Sequence, residues 1–411
     1  MKKVLLISFD AVSNSDVDKL IEMKNFKALK AKGTLVREVK SIFISNTYPI
    51  HTSIITGTHP YIHGIIENLK PQTEVPDPDW YWYSEDIKVE TVYGAASKCG
   101  MTVASVMWPV TGGSKEIKYN IPEIFPNRGK KQIVVSLEAG SKFLQIKEFI
   151  KHGKKLKGLS QPEVDNFAVS CMCDIIKEKK PDLMQIHLTD CDTHKHKFGI
   201  ESKEVNAALG RLDLNLGRLL EATKSMENLT VIIVSDHAQI NVNKSVNPNV
   251  SLEKEGLLKI NEDGTVYDYS CWVKCSGGSA MLITKPYISF EMIQKAKALM
   301  QKCEGFERFL TEEEMQLSGH GNCPFGMSAK RGYQFSMNKN PYEKANHGYT
   351  LDKDKYTTFY MVVGEGIGEN NVLSGGSLLD IAPIIAKTLD IDMPKMQGSV
   401  LGGLYSEDDK S

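Results

Sequence analysis

The sequence predicts an α/β protein whose largely parallel β-sheet is covered by helices on both faces. Short β-rich apolar runs alternate with longer segments of helical periodicity along most of the chain. Several of those runs are apolar throughout, the pattern of strands buried on both faces. The 411 residues, 41% hydrophobic and 25% charged, are enough for one large domain with a second lobe.

Val4–Phe9 predicts the first buried strand. Two lysines precede it, as in an export signal, but the run is short, ends at Asp10 and lacks a small-residue cleavage site. Cytoplasm is therefore the expected compartment. No stretch approaches the ~20 apolar residues that span a bilayer. Ser15–Lys32 predicts a helix capped by Ser15. Met101–Met107 predicts a strand, and Ser136–Lys151 and Gln161–Lys179 predict helices. Leu183–Leu188 is strand-like, Glu204–Met226 helical, Leu229–Ser235 and Thr357–Val363 strand-like, and Leu378–Leu389 helical.

Residues 241–345 break this rhythm. Their ends are rich in Asn, Lys, Gly and Ser, and they carry a strand candidate (Ala280–Thr284) and a helix candidate (Phe290–Cys303). They predict a small α+β subdomain near the active site, inserted into a core of residues 1–240 and 346–411.

Fifty basic and 51 acidic side chains nearly cancel, which speaks against a nucleic-acid polymer or an acidic membrane as the main partner. Any phosphate recognition must be local, and a small phosphorylated substrate is the expected partner. No pattern indicates an oligomeric state. The eight cysteines have no disulfide-framework spacing and are expected to be reduced.

In an open α/β sheet, ligands bind at the carboxyl ends of the strands. Asp10, Asp192 and the Asp236–His237 pair follow strand-like runs, and His347 sits in a Gly-containing loop. One Asp at a strand end is commonly a cap. Asp10, Asp192 and Asp236 with His196, His237 and His347 make six oxygen and nitrogen ligands, enough for two divalent metals with open positions. Asp190 and His194 share the spacing of Asp192 and His196 and are the alternative pair. Thr47 lies just before Pro49 and the helical run Ile50–Thr56, where a helix N-terminus favours anions and a metal would activate its hydroxyl.

These segments, in this order, resemble the alkaline phosphatase superfamily, and most closely its nucleotide pyrophosphatase/phosphodiesterase branch. Thr47-Tyr48-Pro49-Ile50-His51 resembles that branch's T-F-P-N-H, and Thr56-Gly57-Thr58-His59-Pro60-Tyr61-Ile62-His63-Gly64-Ile65 resembles its T-G-x-x-P-x-x-H-G-I. Asp192-Thr193-His194-Lys195-His196-Lys197-Phe198-Gly199 is similar to D-x-x-x-H-K-Y-G, and favours Asp192 and His196 over the alternative pair. Ser235-Asp236-His237-Ala238-Gln239 is similar to S-D-H-G-M, and Asn346-His347-Gly348-Tyr349 matches N-H-G-Y.

The resemblance implies a doubly wound α/β sandwich and two metals, usually zinc. Asp10, Thr47, Asp236 and His237 would hold one, and Asp192, His196 and His347 the other. It implies hydrolysis of phosphodiester or pyrophosphate bonds through a covalent phospho-threonine at Thr47. A phosphomonoesterase, a phosphonate hydrolase or a weakly catalytic phosphate-ligand binder would share these ligands. Ile50 departs from the motif, whose Asn supplies a donor to phosphate, and Asn46 or a residue of the inserted lobe is the expected replacement. Trp80 and Trp82, in an aromatic cluster, are the other candidate substrate contacts.

Overall fold

The computed structural model describes residues 2–406 apart from 73–74, 76–77, 127–128, 262–264 and 338–342. Its centre is an eight-stranded sheet. Six of its strands are β1 (Lys3–Phe9), β2 (Thr34–Val39), β3 (Val103–Val106), β4 (Tyr119–Ile121), β5 (Leu183–Leu188) and β6 (Leu229–Val234). The strands Thr358–Val363 and Asn371–Ser374 complete it. Across the sheet the order is Asn371–Ser374, β2, Thr358–Val363, β6, β1, β5, β3, β4. Only Thr358–Val363 runs antiparallel to its neighbours.

Both faces are covered, so β1 is apolar at alternate positions on each. Val4 and Leu6 join one core cluster with residues of helices Thr47–Thr56 and Ile381–Leu389. Leu5, Ile7 and Phe9 join the other with residues of helices Glu163–Lys179 and Lys203–Thr223. Each fully buried Val, Leu or Ile contributes about 1.5–3 kcal/mol over exposure, so the sheet is the rigid base of the molecule. This is the predicted α/β fold with a mostly parallel sheet.

Two predicted helices are divided. Asn14–Leu20 and Lys24–Lys30 replace one helix over Ser15–Lys32. Gln132–Ala139 and Lys142–His152 replace one over Ser136–Lys151, because Gly140 turns extended and Ser141 caps the second helix. The chain leaves the sheet at Ile240–Asn241 and returns at Ala345–Asn346, and these two short strands pair antiparallel. Between them lies a four-stranded sheet (Cys271–Cys275, Ser279–Thr284, Gly326–Ala329, Phe306–Phe309), whose apolar cluster also takes in Ala238, Ile240, Tyr349 and Tyr356. Residues 262–264 and 338–342 of that segment fall outside the described ones.

Topology explains why distant residues meet. β1 lies between β5 and β6 with all three parallel, so Asp10, the 190–198 segment and Asp236 leave the sheet at one edge. Thr358–Val363 is antiparallel to β6, with Tyr360 opposite Val234 and Val363 opposite Val231, so it begins at that same edge. The loop bearing His347 therefore arrives there too.

Candidate active site

Helix Thr47–Thr56 opens at that edge with Asn46 as its extended N-cap. Thr47 is the one residue from Ser41 to Thr58 that is not buried. Its Oγ1 lies 3.4 Å from His237 Nε2. His51, one turn on, bonds the Thr47 carbonyl through Nδ1 at 2.8 Å and Ser8 through Nε2 at 2.8 Å, which ties the helix start to β1. His63 bonds Ser53 at 3.0 Å inside the same segment.

Asp192 and His196 lie four residues apart in helix Asp190–Phe198, a spacing that puts both on one face. Between them, buried Lys195 bonds Asp16 at 2.5 Å and the Ala11 carbonyl at 2.7 Å, anchoring this helix to the loop after Asp10. Ligand atoms of Asp192, His196 and His347 lie within 4.8 Å of one another, and so do those of Asp10, Asp192 and His237. Asp192 belongs to both groups. Asp190 instead is held by Arg211 through two bonds of 2.6 and 3.0 Å, and His194 Nδ1 bonds the Asp190 carbonyl.

The histidines are oriented by their second nitrogens. His196 Nδ1 bonds the Ala345 carbonyl at 2.9 Å, and His347 Nδ1 bonds the Ser45 carbonyl at 3.0 Å. Each therefore turns Nε2 toward the site. Backbone fit holds His347 in place: Gly348 has φ +81°, and a Cβ there would lie 1.8 Å from the Ser276 carbonyl.

Asp236 Oδ1 accepts the backbone N–H groups of Ala11 and His237 at 3.0 and 2.9 Å. Its Oδ2 is buried without a hydrogen-bond partner among the described residues, as are Asp10 Oδ1 and His237 Nδ1. His237 Nε2 faces Asp236 Oδ2 at 3.2 Å and Asp10 Oδ1 at 3.6 Å.

The electrostatics carry the same message. Burial, then the Asp236 and Asp192 carboxylates, pushes Asp10 well above the usual carboxylate range, and burial raises Asp236 to about 6. Burial lowers His237 to about 3 and holds His347 well below the usual value. At Asp192 and His196 burial is outweighed by their mutual attraction, which lowers Asp192 and raises His196 to about 9. Buried carboxylates crowded against neutral imidazoles are costly unless a cation joins them. The orphaned oxygens and the oxygen–nitrogen donor set fit divalent metal ions.

One cavity of about 980 Å³ opens over Thr47, with Asp10, Asn68, Asp192, His196 and His347 on its wall. Trp80 lines it. Trp82 does not reach it and packs beneath, 5% exposed, beside Tyr48 and Val110. Asn46 departs from its expected role as a substrate contact: its Nδ2 donates to Glu67 at 2.9 Å and its Oδ1 meets His347 Nδ1 at 2.9 Å, which commits both ends of the amide. Ile50 is fully buried in the core, facing away from the cavity.

Three residues went unread in the sequence. His187 Nε2 bonds Asp10 Oδ2 at 2.9 Å, and its Nδ1 faces Glu123 at 3.6 Å. A histidine within a buried strand needs a polar partner, and that was its signal. Gln239 donates to Asp192 Oδ1 at 2.5 Å. Asn68 Oδ1 accepts the Tyr48 N–H at 2.9 Å, and its Nδ2 has no bond among the described residues.

Sheet order, carboxyl-edge carboxylates and histidines, and a hydroxyl at a helix start define a hydrolase of the alkaline phosphatase-like fold. The type I phosphodiesterase/nucleotide pyrophosphatase family model matches residues 4–350, and the chain belongs to that family. It is 24% identical over 405 residues to the bis(5'-adenosyl)-triphosphatase ENPP4 of Bos taurus, covering 95% of this chain and 78% of that protein. It is 26% identical over 224 residues to ectonucleotide pyrophosphatase/phosphodiesterase family member 1 of Homo sapiens, covering 51% of this chain and 20% of that one. The solved structure of murine ectonucleotide pyrophosphatase/phosphodiesterase 5, an inactive variant in complex with AMP, superposes with a TM-score of 0.73. That match has 18% identity and covers 99% of this chain and 100% of the other.

These relatives overturn the expectation of a cytoplasmic protein, because ectonucleotide enzymes work outside the cell. The physical reason is plain: the apolar run Val4–Phe9 is a buried strand of the sheet, so its failure to read as an export signal carries no information about compartment. Among the described residues no helix is long and apolar enough to cross a membrane.

Proposed function

We propose that this chain hydrolyses phosphodiester or pyrophosphate bonds of small phosphorylated substrates, with Thr47 as nucleophile beside two divalent metals. The observation that carries the reading is the position of Thr47. It is the one accessible residue of a buried segment, at a helix N-terminus, on the cavity wall that also carries Asp10, Asp192, His196 and His347.

Asp10, Asp236 and His237 with Thr47 would hold one ion, and Asp192, His196 and His347 the other, with Asp192 near enough to serve both. Zinc fits this donor set. When bound, the ions would supply positive charge to the attacking and leaving oxygens and lower the pKa of the hydroxyl. Thr47 Oγ1 attacks phosphorus, the bond to the leaving group breaks, and a phospho-threonine forms. Water then cleaves the new Thr47–phosphorus bond and restores the hydroxyl. The Asn68 amide, whose oxygen is fixed by the Tyr48 N–H, presents Nδ2 to a phosphate oxygen and takes the part that Ile50 cannot. His187 holds Asp10 in orientation.

Cavity size favours a diester over a monoester, since about 980 Å³ leaves room for groups on both sides of phosphorus. The test compares bis-p-nitrophenyl phosphate with p-nitrophenyl phosphate, with added zinc and with chelator. Metal-dependent turnover of the diester above the monoester, lost in Thr47→Ala, is expected. Preference for the monoester, or turnover that survives Thr47→Ala, would sink the reading.

A further inference from the structure

Helix Lys142–His152 carries Ile146, Phe149 and Ile150 to the mouth of the cavity over Thr47, and its opposite face is unusual. The residues it buries are Gln145 and Glu148. A surface helix ordinarily turns its apolar stripe to the core, and a glutamate is almost never fully buried unless paired. Glu148 is 0% exposed, and neither of its carboxylate oxygens has a hydrogen-bond partner among the described residues. Lys147 Nζ stays 3.7 Å from Oε1 and bonds Glu178 instead. Burial raises the Glu148 carboxyl above its usual value.

Two further groups of ligand type meet this carboxylate. His152 lies four residues on, a spacing that puts both on one face of the helix. Its Nε2 is 3.7 Å from Glu148 Oε2 and 2.7 Å from Oδ2 of Asp174, on helix Glu163–Lys179. Ligand atoms of all three lie within 4.8 Å of one another. His152 and Asp174 are partly exposed, which leaves an ion a way in. None of the three lines the cavity over Thr47.

We infer that Glu148, His152 and Asp174 form a zinc-type metal site, separate from the Thr47 centre, that joins the two helices behind the cavity wall. Two carboxylate oxygens and one imidazole nitrogen leave the fourth position of a tetrahedral shell to water. The nitrogen argues against calcium or magnesium, which take oxygen ligands. Ligand atoms of such a shell stand about 3.3 Å apart. His152 and Asp174 therefore open slightly and Glu148 closes slightly around the ion. The ion gives the buried carboxylate a direct bond where it has no hydrogen bond. It also fixes the wall helix to the core through a seam that is polar rather than apolar. Lys151 bonds Asp174 and must release it. Binding is therefore weaker than at the Thr47 centre, and this ion leaves on desalting.

The experiment titrates zinc into the desalted protein and follows calorimetry and melting temperature. One further ion per chain is expected beyond those retained on desalting. The melting temperature should rise with free zinc, because the ion binds only the folded pair of helices. Glu148→Gln, close in shape, and Asp174→Asn should each lose that ion and that rise. Far-UV circular dichroism checks that both variants fold. In an Asp192→Ala background, Glu148→Gln should still remove one ion per chain, which keeps this site distinct from the Thr47 centre. No further zinc uptake, or uptake unaltered by Glu148→Gln, would overturn the inference and leave Glu148 as a protonated acid beside the His152–Asp174 pair.

Discussion

The floor and the mouth of the cavity obey opposite rules. At the floor, three carboxylates and three histidines cluster at the rigid edge of a sheet, and Asp10, Asp236 and His237 are fully or almost fully buried. At the mouth, Phe143, Phe149 and Ile150 face solvent while Glu148 is buried. Each arrangement is costly in isolation: the floor leaves Asp10 Oδ1 and Asp236 Oδ2 buried without a hydrogen-bond partner among the described residues, and the mouth leaves apolar side chains in water. The floor's donor set fits a divalent cation, whereas the mouth offers apolar side chains and, among the described residues, no comparable cluster of polar ligands.

Substitutions separate the two ends. The largest effect belongs to the floor: Thr47→Ala should lower kcat by more than about 1,000-fold, measured on a nitrophenyl diester, with the metals retained. Ile50→Asn, which restores the family's motif in sequence, should not raise turnover. It should instead destabilise the fold by about 3–5 kcal/mol, read from the denaturant midpoint, because the amide would enter the core unpaired. Higher activity in that variant would break the assignment of the phosphate donor to Asn68. Asn68→Ala should lower kcat/KM about 100-fold without changing metal content. The smallest effect belongs to the mouth: Phe143→Ser should shift stability by less than about 0.5 kcal/mol, since its side chain packs on little.

The two ends also differ in how far they could be read in advance. Asp10 and Asp236 are visible where an apolar run stops at a carboxylate, but the run Leu183–Leu188 reaches Asp190 first, and only the likeness to D-x-x-x-H-K-Y-G favours Asp192. His347 is harder, because its presence depends on Thr358–Val363 running antiparallel. His187, Gln239 and Asn68 act through tertiary contacts with Asp10, Asp192 and Tyr48, which no local pattern encodes. The mouth was opaque for a different reason. Periodicity in Lys142–His152 reports that the helix has an apolar face, but not which way that face points. Gly140 then divided a helix that composition alone would continue. Edge strands such as Tyr119–Ile121 are too short to stand out.

Cation content tests the central claim most directly. The protein is loaded with zinc, desalted and weighed by native mass spectrometry, alongside Asp192→Ala and Asp190→Ala. Two ions per chain are expected in the unaltered protein, fewer in Asp192→Ala, and two again in Asp190→Ala, whose carboxylate is bound by Arg211. Full occupancy in Asp192→Ala, or loss in Asp190→Ala alone, would contradict a centre built around Asp192.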